Sequence, residues 1–235
     1  FSSIGVYVLR LTANDGQRQS FDEVTVSVTN ANGVLAVDVP IIAGPDDVEQ
    51  NLLDNTVNLT NGDLELGVDL PATTEVPQQV GLRFQSIGIP KGATIVSAYV
   101  QFTVDEVTNQ PAQLTIQGQA ADSAPAFANT LSNVSNRPRT TAQVSWTPAS
   151  WPTIGAAGAA QQTPSLVPIV QEIVNRSGWT SGNALALIVA GTGRRTAESF
   201  EGGANLAAVL HITYQAAGTG LPSAPTKMVL ATQGS

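Results

Sequence analysis

Residues 78–106 read QQVGLRFQSIGIPKGATIVSAYVQFTVDE, and their pattern decides the fold. Two runs of alternating apolar and polar residues flank Pro90-Lys91-Gly92. Successive side chains of a strand leave the pleat on opposite sides, so alternation with period two marks a strand with one face on a core. Pro90 supplies the fixed φ, and Gly92 the conformational freedom, that a chain reversal needs. Leu82 and Phe84 before the turn, with Ile95, Ala98, Val100 and Phe102 after it, are apolar residues that a sandwich core uses.

Working outward, the sequence predicts strands at 56–59, 63–69, 80–87, 93–104, 113–120, 142–146, 184–190 and 207–214, separated by turns rich in Gly, Pro and Asn. That series suits two packed sheets. One helix interrupts it. Thr163 is placed to cap and Pro164 to take the first helical position, and Leu166, Ile169, Val170, Ile173 and Val174 recur at helical spacing ahead of Gly178. The apolar stripe is expected to seal one end or edge of the sandwich, with Gln171 on the free face. The expected class is all-β, a sandwich with one short helix.

Composition narrows the function classes. The chain has 235 residues and is 42% hydrophobic, enough for at least one sizeable core. Ten basic residues against eighteen acidic ones give a net charge of -8, which repels polyanions and argues against nucleic acid or an anionic membrane surface as a partner. No run approaches the roughly 18 apolar residues of a membrane helix. The absence of cysteine removes disulfides, thiolate nucleophiles and thiolate zinc sites together. Only 12% of residues are charged, a balance typical of extracellular bacterial β-proteins, so an extracellular or cell-surface location is expected. Phe1 opens the chain with neither a basic region nor an apolar leader, which reads as a mature product or a slice of a longer chain.

The ends read as parts of other modules. In residues 1–30, Val6, Val8, Leu9 and Leu11 form one strand, Asn14-Asp15-Gly16 a turn, and Val24, Val26 and Val28 a second strand. This hairpin resembles the last two strands of a bacterial immunoglobulin-like domain of the PKD or cadherin-like kind. Residues 31–45 are expected as a linker, 46–214 as the sandwich, and 215–225 as a second linker. Residues 226–235, with Met228 and Leu230, resemble the opening strand of a fibronectin type III or similar module. A lone hairpin is marginal and an exposed edge invites pairing, so both ends need β-structure from the same chain or from a neighbouring subunit by strand addition, which would build a homopolymer.

VGLRFQSIGIPKGATIVSAYVQFTV, Trp146, PSLVPIVQEIVNRSGWTSGNALALIVAG and ESFEGGANLAAVLHITY follow one another in that order over most of 80–214. Together they resemble the DNRLRE group of domains. It implies a jelly-roll-like sandwich of a group that includes an alginate-associated carbohydrate-binding family, appended to secreted bacterial enzymes and surface proteins. The chain departs from the group's pattern at Arg83-Phe84-Gln85, where an aspartate is usual in the third place.

Candidate chemistry is sparse. The single histidine, His211, shares a strand face with Val209 and Thr213, and no Gly-x-Ser-x-Gly turn accompanies it. Carboxylate pairs that hydrolyse glycosides need a spacing that sequence does not supply. A non-catalytic protein is expected. For a metal, Asp63 and Glu65 share a strand face with Asp69, and Asp47 and Glu49 lie just upstream. Asp47, Glu49, Asp63 and Glu65 are the expected ligands of a structural calcium, which takes six to eight oxygens; the alternative is a solvated row of carboxylates that discourages edge pairing. The resemblance to jelly-roll binding modules implies calcium as well. For a polysaccharide, Trp151 and Trp179 sit in loops where a ring face can be exposed, and Arg194 and Arg195 lie in a Gly-bounded loop that can present them to a carboxylated sugar. Arg137 and Arg139 form a second basic pair. Two readings result: a structural or adhesive module of a multi-domain bacterial surface or secreted protein, in a filament or sheath, and a calcium-stabilised carbohydrate-binding module on a secreted polysaccharide-active enzyme.

Overall fold

The computed structural model describes residues 5–14, 16–28, 34–70 and 73–216. The expected terminal strand at 226–235 lies outside the described residues, as do the side chains of Val6, Val8, Val24, Val26 and Val28.

Strands β1 (Gly5–Asn14) and β2 (Gln19–Val28) pair antiparallel, from Gly5 with Val28 to Asn14 with Gln19, as a two-stranded sheet of their own. The Asn14 carboxamide oxygen accepts the Gly16 N–H at 2.8 Å. Gly16 takes the left-handed φ of 88° that this turn requires.

The sandwich follows, with β3 (Val34–Pro40), β4 (Asp47–Asn51), β5 (Val57–Asn58), β6 (Asp63–Asp69), β7 (Val76–Phe84), β8 (Thr94–Gln101), β9 (Gln113–Gln119), β10 (Arg139–Trp146), α1 (Val167–Val174), β11 (Leu185–Thr192), β12 (Arg194–Glu198) and β13 (Val209–Gln215). All the strand pairing is antiparallel. The larger sheet runs β10-β9-β11-β7-β4-β5, and the smaller runs β3-β13-β8. Val80, Leu82 and Phe84 of β7 meet Ala98 and Val100 of β8 and Ile212 of β13 in the core between them. The class is all-β, as the alternation predicts.

Each strand expected inside the sandwich is present, and three more accompany them. One corrects the domain boundary: β3 lies inside 31–45, the expected linker, and pairs with β13 along its whole length, Val34 with Gln215 through Pro40 with Val209. The other two, β4 and β12, read DVEQN and RRTAE, with almost no apolar alternation to signal them. Both are held by register with stronger neighbours, Asp47 opposite Leu82 and Leu66 opposite Arg195.

The helix starts later than expected. Its first residue is Val167, with Pro168 in the first turn. Thr163 does not cap it; the Thr163 N–H donates to Val100 O and its hydroxyl accepts the Val100 N–H, both at 3.0 Å, which docks the approach to the helix on the edge of β8. Ile169, Val170, Ile173 and Val174 are buried as the stripe requires. Gly118 on β9 lets the helix come close, because a Cβ there would lie 2.7 Å from Ile169 and Ile173 side-chain carbons.

The larger sheet is covered on its other face too. The excursion between β9 and β10 lays Phe127 on Gly81 and packs it with Val48, Val134 and Ile188. Arg137 holds this excursion together, stacking over Phe127 at 3.8 Å and donating to Pro125 O, Ala126 O and Asn133 O at 2.8–3.0 Å. It is a structural bolt rather than a surface cation.

The sheets meet at one corner. Past Gln101 the chain of β8 leaves β13, and Val104 bridges Ala197 of β12, with Asp105 N–H on Thr196 O and Glu198 N–H on Thr103 O. β12 pairs with β6, and β6 pairs with β7 through Val68–Pro77 and Asp69–Val76. This β6–β12 ribbon joins the two layers.

Gln171 is not on a free face. Its side chain accepts the Ile95 N–H and donates to Ala93 O, both at 2.9 Å, stapling α1 to the start of β8. Replacing Gln171 by Leu leaves two backbone groups without partners and is predicted to cost about 1–3 kcal/mol in urea unfolding. Ile173→Asp, which buries an unpaired charge, is predicted to abolish cooperative unfolding. A Gln171→Leu variant as stable as the parent contradicts the staple.

Candidate metal centre

The joining ribbon sorts its residues by face. Leu64 and Leu66 of β6 enter the core, so Asp63 and Glu65 face away from it. Register sets Glu198 opposite Asp63 and Thr196 opposite Glu65. The turn after β8, fixed by the Val104–Ala197 bridge, adds Asp105 and Glu106. Carboxylate oxygens of Asp63, Asp105 and Glu106 all lie within 4.8 Å of one another. Like charges directly opposite across a strand pair are destabilising, so this arrangement needs something to hold it.

Glu49 of β4 closes the other side. Its carboxylate accepts the backbone N–H of Glu65, and the Asn61 carboxamide donates to it at 2.7 Å. The Glu65 carboxyl interacts with those of both Glu49 and Asp63, each shifting the other's protonation. Carboxyl groups brought this close keep a proton or take up a cation between them. Among the described residues, one cation pairs with the group, Arg194 to Glu106 at 3.3 Å on its rim.

The electrostatics follow from burial and like charge. Burial raises the Glu65 carboxyl to about 9, helped by its bond to Glu49 and by the charges of Glu49 and Asp69. Burial raises Asp63 to about 7, with Glu65, Asp105 and Glu106 adding to it. Glu49, Asp105 and Glu198 are raised too, burial first in each case. The donor set is oxygen alone, with no histidine or thiol, which fits a hard divalent cation such as calcium.

Of the expected ligands, Glu49, Asp63 and Glu65 stand together and Asp47 takes a different partner. Asp47 accepts the Phe200 N–H at 2.8 Å, and its other oxygen is buried with no hydrogen-bond partner. Burial raises it to about 7, with Glu201 and Asp46 adding to the shift. Asp46 itself is clamped by Arg83 and Gln85. Asp105 and Glu106 were not among the ligands expected from the sequence. Their adjacency to Asp63 depends on the switch of partner at Val104, which no local pattern announces.

The expected sugar-facing residues are mostly internal. Trp151 is 0% and Trp179 1% exposed, and their indole N–H groups donate to Ala160 O and Ile89 O. Trp151 packs with Phe102 and Trp146 at 6.3 Å between ring centroids, so neither loop tryptophan offers a face to a ligand. Arg195 is 1% exposed and donates to Pro148 O, Ala149 O, Gln110 O and Arg194 O. Of the four, Arg194 is partly exposed and lines a surface pocket. His211 stacks on Tyr99 at 4.8 Å and bonds Asp38 at 2.7 Å across β13 and β3.

No family model matches the chain, and no curated protein matches it.

A pH dependence is predicted for the metal-free protein. Folded-state pKa values above the unfolded carboxylate range mean that the native state binds more protons between about pH 4 and the folded values. The stability contributed by Asp63 and Glu65 is therefore fully present below about pH 4 and is lost as pH rises through 7 for Asp63 and 9 for Glu65. Thermal melts in chelator from pH 5 to pH 9 are expected to show falling Tm. Melts that are flat or rise across this window contradict the shared-proton layer.

Proposed function

We propose that the chain is a non-catalytic structural module of an extracellular or surface protein, stabilised by a divalent cation of calcium type at its acidic corner. The observation that supports this reading most is the cluster of Asp63, Asp105 and Glu106 with Glu65 and Glu49 beside it, in which burial raises the carboxyl groups of Glu49, Glu65, Asp63 and Asp105. Asp63, Asp105 and Glu106 hold the ion, with Glu65 and Glu49 behind them. An ion bound there replaces the protons that otherwise keep the carboxyl groups apart in charge, and it rivets the β6–β12 ribbon that joins the sheets. The burial of Trp146, Trp151 and Trp179 supports a structural role over sugar stacking, since few aromatic faces remain for a saccharide. The DNRLRE resemblance points to the same setting, a jelly-roll module in a larger secreted protein with neighbouring domains or subunits at its ends.

One observation favours polysaccharide binding as a second reading. Arg194 lines a pocket of about 290 Å³ with Glu75, Asn109, Gln110, Leu70 and Val107, and the buried Thr108 hydroxyl beside them has no hydrogen-bond partner. A carboxylated sugar would give the Thr108 hydroxyl a partner and Arg194 a second one beside Glu106.

The test is the melting temperature of the whole chain at pH 7.5 in chelator and in excess calcium. A ligand bound only to the native state stabilises by about 2.7 kcal/mol at a hundred times its Kd, so calcium is expected to raise Tm by several degrees. Asp63→Asn with Asp105→Asn is expected to remove that rise. Identical melts with and without calcium contradict the cation reading, and pull-down on acidic polysaccharides that fails with Arg194→Ala but not with parent chain supports the second.

A further inference from the structure

A second oxygen-lined hollow lies where β4, β5, β6 and β7 meet, with a volume of about 390 Å³. Its walls include Glu49, Asn51, Asn58, Asn61, Asp69 and Gln78. Register builds it: Asn51 lies opposite Gln78 and Glu49 opposite Val80, so Glu49, Asn51 and Gln78 share one face of the β4–β7 pair. Asp69 arrives from the end of β6, opposite Val76. Asn51 and Asn58 are fixed in place because their side-chain oxygens accept the Leu53 and Thr60 N–H groups at 2.8 and 2.9 Å.

Gln78 is the residue this packing leaves unexplained. It is 7% exposed, and its side-chain oxygen is buried with no hydrogen-bond partner. Leaving such a group unpaired is costly, and a buried acceptor on a residue in the wall of a polar hollow calls for a ligand. The lining contains two carboxylates and four carboxamides but no Lys, Arg or His, so the occupant brings positive charge and accepts oxygen ligands. A water's share of liquid volume is roughly 30 Å³, so the hollow admits an ion with several of its waters.

We infer, on the strength of the cation reading above, that this pocket is a second seat for a hard divalent cation of calcium type, held by the Gln78 side-chain oxygen and Asp69, with Glu49 on its inner wall. Calcium accepts carboxamide oxygens, carboxylates and water together, and this lining offers all of the protein's share. Glu49 faces both this pocket and Glu65, so the two seats share one carboxylate and load cooperatively or in competition.

The test is isothermal titration of calcium chloride into the chelator-stripped full chain at pH 7.5, using the parent, Gln78→Met, Gln78→Glu and Asp63→Asn. The parent is expected to bind two ions. Gln78→Met removes the oxygen at similar size and is expected to weaken one class by at least about tenfold, the scale on which outer ligand partners act. Gln78→Glu, which restores an oxygen, is expected to recover it. Asp63→Asn is expected to weaken the other class. Circular dichroism melts in chelator check that each variant is folded. A folded Gln78→Met chain that titrates as the parent does, while Asp63→Asn weakens binding, overturns the second seat alone. Loss with Gln78→Met and none with Asp63→Asn overturns the Asp63 site instead, and a parent that binds no calcium overturns both.

Discussion

At Val104 the chain of β8 changes partner, and the rest of the molecule depends on that exchange. Up to Gln101 it pairs with β13; beyond it, Val104 bridges Ala197, and backbone bonds run to Thr196 and Glu198. The switch brings β12, and through it β6, alongside the smaller sheet, while β6 holds β7 of the larger one. A sandwich whose layers are tied at one corner keeps its register there. The same exchange places Asp105 and Glu106 against Asp63, so the tie and the acidic layer are one piece of structure.

That coincidence gives the corner its character. The core face of the ribbon is filled by Leu64, Leu66 and Ala197, which anchor it firmly. Its other face carries carboxyl groups that repel one another at close range and are held in place by the packing beneath. Burial and mutual charge then drive the groups to keep protons or to take up a cation. The proposed hard cation would satisfy several of them at once, because register and the Val104–Ala197 bridge already bring them together. The Gln78 hollow follows the same logic on the outer flank of β4, with Glu49 common to both.

What the sequence made legible was what short-range pattern carries. Alternation in β7 and β8 around Pro90 and Gly92 sets the sandwich, and the spacing of Ile169, Val170, Ile173 and Val174 gives the helix its buried face. The helix start misled because Thr163-Pro164 has the look of a cap and first turn, while tertiary hydrogen bonds draw Thr163 to Val100 instead. Strand β12 was illegible because Arg195 occupies a core-facing place, its charge wrapped by four backbone carbonyls. Trp151 and Trp179 sit in loops by sequence, yet those loops fold over the ends of the core. Asp63 and Glu65 were visible as acids on one face of an expected strand, with Glu49 just upstream of it. Asp105, Glu106 and Gln78 were not, since each gains its meaning from a partner far away in the chain.

The most direct test of the account is a crystal structure grown at neutral pH with calcium. The account predicts an ion at about 2.3–2.6 Å from oxygens of Asp63, Asp105 and Glu106. Carboxyl groups of these three residues turned apart into solvent, with water rather than an ion between them at high resolution, would contradict it.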